Sequence, residues 1–532
     1  MSRPARGDRR PGRALPSWAR LDKQGSGAGS MSVGGIGRPQ MGDAVAGISV
    51  GLVVVPQAMA YAGFAGLPAS YGLYAAAVAP LAAFVFASSR YLQTGPTAVA
   101  SLLTFGALSS VATPFTSDYV ALAALLALLV GIVRVAIGLV RAGAVAYLMS
   151  QPVIVGFTSA AGVLILASQV PGALGVDPEG ANSLVAALRA GADPSAWDLG
   201  ALGFVVITGA CVGVGRIVHS LFPGVLVAVV VCTLASALVD YGGSVVGDVA
   251  VGLPGSPLDL PWSSLPSLLL SGAVIAVVGF AEPTAIARRY AIQDRELWEP
   301  NREFVSQGLA NLASGLAGGY TVGASFSRSA LNRVAGARTR WSQAITGAIA
   351  LAALPALGLV ARLPDATLAA IVILASMSLI DVRSLWHYRK VARVQFYVAL
   401  LTFGLTLALA PRIELAVVFG IALAIAAHLW REMRITIPSW IEHGDLHVRP
   451  SGVLYFASAP GLDVEVGRLL AHHPEVRSLV VHLDGFGRID LSGALALRDL
   501  IEEIRQAGLE VRVADVPPPA AKIVRRVVMH DD

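Results

Sequence analysis

Residues 53–62 read VVVPQAMAYA, an apolar run interrupted once by a proline and an amide. Residues 277–287 read VVGFAEPTAIA, where Glu282 and Pro283 interrupt an equally apolar run. Shifting the chain by 225 positions sets Gln57 on Glu282, Gly47 on Gly272 and Ala60 on Ala285. A shift of 230 sets Thr97 of TGPTAV (94–99) on Ser327 of ASFSRS (324–329). Polar residues thus fall at matching depth in two separated halves, the pattern of an inverted repeat in a membrane-embedded chain.

Around these strings the chain suits a bilayer. Of its 532 residues, 55% are hydrophobic and 14% are charged, and the mean hydropathy is +0.68. A soluble domain carries about 25% charged residues. A disordered chain and a coiled coil are therefore excluded, and an ordinary soluble enzyme is disfavoured. Cys211 and Cys232 both lie in apolar runs, which leaves no disulfide framework and no cysteine-rich metal site.

A spanning helix needs roughly 20 apolar residues, and a discontinuous one fewer. On that rule the first half holds segments 44–63, 70–87, 96–111, 119–140, 151–170, 199–218 and 224–241. The second half holds 268–288, 304–317, 326–336, 341–361, 366–380, 395–410 and 413–433. With fourteen spans and a cytoplasmic N-terminus, Arg90, Arg141, Arg216, Arg288, Arg289, Arg338, Arg340, Arg383, Arg389 and Lys390 all follow even-numbered spans. The opposite loops carry mostly acids, including Asp118, Asp177, Asp193, Asp240, Asp248 and Asp365. That asymmetry obeys the positive-inside rule. It gives each half seven spans, and so opposite orientations.

Few residues inside the spans can carry chemistry. Glu282 is the one acid placed deep in a predicted span, where a carboxylate costs several kcal/mol unless it is paired, protonated or water-facing. Its functional reading is a coupling-ion or proton site; its structural reading is a carboxyl satisfied by neighbouring helices. Gln57 offers donors and acceptors without charge, which suits an anion or a water shell as well as helix–helix contact. Thr94–Thr97 and Ser325–Arg328 open two short segments with cap-forming residues. Two helices that begin inside the membrane would face each other with free N–H groups, an anion site that needs no side-chain charge. Arg328 would add one. Arg134, two turns from a span end, reads as a snorkelling cation. No nucleotide, zinc-protease or serine-hydrolase motif is present, so no catalytic residue and no metal site are expected.

The flanks differ from the spans. Residues 1–40 hold eight Arg and Lys against Asp8 and Asp22, and read as a disordered basic cytoplasmic tail beside anionic lipid rather than a nucleic-acid arm. Residues 41–435 form the transmembrane region, with one repeat over 41–242 and the other over 266–435. Residues 440–532 form a small α/β domain. In it, strands are expected within 446–458 and at 478–484 and 509–515, helices at 461–473 and after 490, and a last helix beyond Pro517.

The strings PQAMAYAGFAGLPASYGLYAAA (56–77), GPTAV (95–99) and SFSRSALNRVAGART (325–339) resemble the SulP (sulfate permease) family of anion transporters, over roughly residues 41–527. The terminal domain, with IDLSG at 489–493, resembles a STAS domain. The resemblance implies a seven-plus-seven inverted repeat with core and gate domains, moving as an elevator in a plasma-membrane homodimer with both termini cytoplasmic. It implies secondary transport of a small anion, sulfate first and bicarbonate or a dicarboxylate next. An exchanger, an uncoupled channel or a non-transporting sensor remain alternatives. Carried over by position, Gln57, Thr97, Ser325, Ser327 and Arg328 line the anion site, and Glu282 takes a coupling Na⁺ or H⁺. Ser492 matches a position phosphorylated in some free-standing STAS proteins, and a cytoplasmic regulator could bind that domain.

Overall fold

The computed structural model describes residues 37–147, 149–177, 182–218, 222–247 and 259–529. Residues 1–36 of the expected basic tail, the Arg216 side chain and Asp248 lie outside the described residues. The chain forms two compact units. The larger takes most of the chain from Met41 to Leu374; the smaller takes Tyr147–Ala167 and the chain from Ala375 onward.

Helices dominate, because in a hydrocarbon environment each backbone N–H and C=O must be satisfied within its own segment. In order they are α1 (Met41–Phe64), α2 (Ala69–Phe86), then a two-residue strand β1 (Thr94–Gly95), α3 (Ala98–Leu108), α4 (Ser117–Leu139), α5 (Gln151–Leu174), α6 (Ser183–Ala192), α7 (Leu199–Val218) and α8 (Gly224–Leu238). There follow α9 (Leu265–Val278), α10 (Ala281–Asp294), α11 (Pro300–Leu316), strand β2 (Gly323–Ala324), α12 (Phe326–Val334), α13 (Trp341–Ala353), α14 (Asp365–Ser376), α15 (Val382–Val391), α16 (Arg393–Ala408) and α17 (Ile413–Glu432). Among the described residues, eight helical stretches are long and apolar enough to cross a membrane. Each of the fourteen expected segments holds helix, but α3, α7, α8 and α16 are shorter apolar helices, so length and composition alone do not establish fourteen spans.

Three local features depart from the sequence reading. The eighth segment is not one uninterrupted helix: α9 stops at Val278 and α10 restarts at Ala281. Pro283 therefore sits in the first turn of a new helix, where its missing N–H costs nothing. Two amphipathic helices, α6 and α15, occupy stretches read as loops.

In the larger unit the helices meet through small residues. α4 and α11 cross where Gly131 and Gly308 face each other; a Cβ on either would come within 2.9 Å of the other's carbonyl oxygen. Such small-residue crossings let backbones approach where burial in lipid supplies little driving force.

The C-terminal domain is β3 (Ser439–Glu442), β4 (Asp445–Val448), β5 (Gly452–Leu454), α18 (Ala459–His472), β6 (Ser478–His482), β7 (Phe486–Ile489), α19 (Leu491–Gln506), β8 (Glu510–Ala514) and α20 (Ala521–Val527). Strands β3-β4-β6-β8 form one sheet with β4, β6 and β8 parallel, and β5 pairs β7. The sequence placed β4, β6 and β8 but missed β3 and β7. Leu446, Val448, Leu479, Val481, Leu497 and Ile501 share its core. Asp490 caps α19 by accepting from the Gly493 amide at 2.8 Å.

Candidate functional site

The site is built from two helix starts in the larger unit. β1 and β2 pair antiparallel, Thr94 with Ala324 and Gly95 with Gly323. The Ser325 amide extends the ribbon by donating to the Gln93 carbonyl (3.1 Å), and the Gln93 amide donates to the Ser329 hydroxyl (3.0 Å). α3 follows β1 and α12 follows β2 within a few residues, so the two helices leave an antiparallel ribbon with their starts side by side. Each start carries free N–H groups and the positive end of a helix dipole. Thr97 caps α3, its hydroxyl accepting from the Ala100 amide (3.2 Å); Ser325 caps α12, accepting from the Arg328 amide (3.5 Å).

Arg328 lies between them, 1% exposed. Its Nη2 donates to the Pro96 carbonyl (2.6 Å), while Nε and Nη1 are buried without a hydrogen-bond partner among the described residues. Gly95 has φ +154°, and a Cβ there would approach Arg328 Nη1 to 3.5 Å. The ribbon thus needs a residue without a side chain beside the guanidinium.

Glu282 stands in the first turn of α10, half-buried. It lies within electrostatic reach of Arg328 and Tyr61, and no salt bridge joins it to Arg328 among the described residues. A Cβ on Gly323 would lie 3.6 Å from Thr97 Oγ1 and 3.7 Å from the Gly279 carbonyl oxygen. The helix break before α10, the strand β2 and the cap of α3 therefore meet at one place. Gln57 is buried on α1, which packs on α3 and α12, and its Oε1 has no partner among the described residues. Tyr61 follows it by one turn and shares its face. Ser325 is half-buried and Ser327 exposed, their hydroxyls 3.2 Å apart. The six membrane residues singled out from sequence thus sit on the elements that converge here. Ser492 belongs to the other unit, exposed in a groove lined by Phe456, Asp463 and Asp499.

Sequence reading missed the supports. On α11, Glu303, Gln307, Asn311 and Ser314 recur one turn apart and are fully buried. Gln307 donates to the Thr94 hydroxyl (2.8 Å). Asn311 donates to the Val322 carbonyl (3.0 Å) and accepts from the Val322 amide (2.9 Å), and Ser314 donates to the Tyr320 carbonyl (2.6 Å). The Tyr320 hydroxyl meets Ser101 (3.2 Å) and the Thr321 hydroxyl meets Thr104 (2.6 Å), which ties the approach to β2 onto α3. The spacing of the four α11 residues, by four, four and three positions, was the available signal; it was diluted by apolar neighbours. Glu303, just outside the expected segment 304–317, is more deeply buried than Glu282.

Arg134 does not snorkel. It is 1% exposed and caps the end of α9, Nε donating to the Ala276 carbonyl (3.0 Å) and Nη1 to the Val322 carbonyl (3.0 Å). No cluster of His, Cys, Asp and Glu among the described residues could hold a metal ion.

Two helices starting back to back within an apolar helical bundle, with an unsatisfied guanidinium between them, define a polytopic membrane transport fold. The chain belongs to the sulfate permease family, whose model matches residues 41–402, and a STAS domain model matches residues 439–532. It is 31% identical to a chloroplastic sulfate transporter of Arabidopsis thaliana over 89% of this chain and 75% of that one. It is 33% identical to a probable sulfate transporter of Mycobacterium tuberculosis over 74% and 70%. Among solved structures, it resembles the murine Slc26a9 anion transporter in the inward-facing state, with TM-score 0.83, 20% identity and 99% and 96% of the two chains covered. It also resembles the transmembrane domain of the cyanobacterial bicarbonate transporter BicA, with TM-score 0.60, 25% identity and 72% and 97% covered. Members of this family are transporters, not enzymes.

Proposed function

We propose that this protein is a secondary transporter that carries a small oxyanion, sulfate first, across the plasma membrane. The observation that carries the reading is the buried Arg328 guanidinium, with two nitrogens unpaired, between the starts of α3 and α12. An anion there would accept from Arg328, from the free amides of both helix starts, and from the hydroxyls of Thr97, Ser325 and Ser327. Gln57 would orient it from α1.

Glu282 is the coupling residue in this reading. An anion beside it repels the carboxylate, and the repulsion is relieved when the carboxyl takes a proton or Na⁺. Anion and coupling ion then bind cooperatively. Loaded, the core moves as an elevator past the gate, in a homodimer joined through membrane and STAS domains. Both termini face the cytoplasm, and Ser492 offers a phosphorylation site or a place for a regulator on the STAS surface. The curated relatives named above support sulfate. Bicarbonate is the second reading, supported by the likeness to the bicarbonate transporter's membrane domain.

The test is uptake into proteoliposomes of labelled sulfate, bicarbonate and dicarboxylates, with H⁺ and Na⁺ gradients imposed separately. Sulfate uptake driven by one of the two gradients supports the reading. Uptake of none of the three anions would overturn it.

A further inference from the structure

Arg134 is the buried charge that this transport cycle leaves unused. No carboxylate pairs with it among the described residues. Besides Ala276 and Val322 it donates from Nη2 to the Ile275 carbonyl (3.4 Å). Two of these carbonyls belong to the last turn of α9; the third directly precedes β2. A helix C-terminus carries about half a negative charge, and this one ends at the break from which Glu282 and α10 start. Bare, those carbonyls would repel an anion at the neighbouring helix starts. Capped, they are replaced by a full positive charge one residue from Gly323, the residue that faces Thr97. A Cβ on Gly279 would lie 2.7 Å from Arg134 Nη2, so the guanidinium fills the break.

The other buried charges of the same unit are balanced elsewhere. Asp43 accepts from the Arg338 and Thr339 amides and the Thr339 hydroxyl. Glu303 accepts from the Ser88 and Ser89 amides, next to Arg340, which donates to the carbonyls of Val85 and Ala87. Arg328 and Glu282 remain within reach of each other at the helix starts, with the hydroxyls of Tyr61 and Tyr320 also in reach of Arg328, and Arg134 stands behind them on the Val322 carbonyl. When Glu282 is neutralised by a coupling ion, Arg328 at the helix starts and Arg134 behind them leave two positive charges without a carboxylate among the described residues, the complement of a dianion.

We infer that Arg134 selects the valence of the transported anion. It is a positioning residue that touches no substrate. It holds α9 to β2 and supplies the second positive charge that favours a doubly charged oxyanion over a singly charged one of the same shape. The inference rests on the transport reading proposed above.

Sulfate and perchlorate separate charge from shape, because both are tetrahedral. Calorimetric titration of the purified full-length protein with each anion, at constant ionic strength, gives a sulfate-to-perchlorate affinity ratio. The wild type prefers sulfate. Arg134→Gln lowers the ratio by up to about tenfold, the effect of losing one buried charge behind the Val322 carbonyl in a partly screened interior. Arg134→Lys keeps the ratio while slowing transport, because the charge stays and the three-carbonyl cap does not. An unchanged ratio in Arg134→Gln, with sulfate binding still lost in Arg328→Gln, overturns the valence role and leaves the site standing. Full sulfate affinity in Arg328→Gln overturns the site itself. Should Arg134→Gln not fold, two results still overturn the inference: a wild type that binds perchlorate as tightly as sulfate, or a Lys variant whose ratio falls.

Discussion

The Arg328 guanidinium donates to the Pro96 carbonyl at 2.6 Å, across 232 positions of sequence. This bond joins the start of one half-helix to the cap of the other. It also leaves two buried guanidinium nitrogens without a partner among the described residues. Buried guanidinium nitrogens without hydrogen-bond partners are costly, and in the proposed reading a bound anion offsets that cost. The same bond means that anything moving the β1 turn also moves the Arg328 guanidinium.

Gly95→Ala tests that linkage. The backbone at φ +154° disfavours any side chain, and the strained turn lies in van der Waals contact with Arg328, whose Nη1 a Cβ at Gly95 would meet at 3.5 Å. Strain of about 1–3 kcal/mol is expected. Transport should fall more than thermal stability, because the guanidinium shifts before the bundle does. Uptake kinetics and melting temperature measured on one purified preparation check this. Equal loss of both would mean that Gly95 is only structural.

Glu282→Gln should uncouple transport while the protein stays folded. For one proton per anion, a one-unit pH gradient is worth about 1.4 kcal/mol, or about tenfold in accumulation. The variant should lose that gradient-driven accumulation under whichever of H⁺ or Na⁺ drives the wild type. Accumulation that persists at the wild-type level removes Glu282 from the coupling step.

Asn311→Leu should destabilise the site from behind. Hydrogen bonds between membrane helices average only about 0.6 kcal/mol. Here, however, the substitution unpairs the amide of buried Val322, while its carbonyl keeps only the bond from Arg134. Such an orphaned group costs about 1–3 kcal/mol, so a fall in melting temperature of several degrees is expected, together with weaker anion binding. A melting temperature equal to the wild type's would show that water replaces Asn311.

Deleting residues 440–532 should impair assembly or regulation more than anion affinity, because every group assigned to the anion lies in the larger unit. Light scattering and sulfate titration on the truncated protein check the two effects separately. Loss of binding in a monodisperse truncated protein would relocate the site.

Much of this arrangement was legible in the sequence, for physical reasons. Gln57, Glu282 and Arg328 stand out because polar groups are rare in lipid-embedded helices and need a reason to be there. Thr97 and Ser325 announce helix starts through their capping chemistry. The partners of these residues were not legible. Arg134 looked like a snorkelling cation because nothing local reveals that α9 ends opposite it, more than 140 positions away. The break between Val278 and Ala281 had one local signal, Pro283, which cannot donate to the Gly279 carbonyl, but a proline alone does not separate a kink from a full break. Tyr320 sat in a glycine-rich loop whose burial depends on Ser101 and Ser314 from two other segments. In the C-terminal domain, β7 was hidden because its four residues, buried at both ends and exposed between, carry no alternating pattern.

The most direct test of the central claim is sulfate titration of the purified full-length protein against its Arg328→Gln variant, at constant ionic strength and with folding checked by monodispersity. Losing one buried charge-assisted contact is worth about 1.5–3 kcal/mol, so the dissociation constant should rise by about tenfold or more. A variant that binds sulfate as tightly as the wild type would contradict an anion site between α3 and α12.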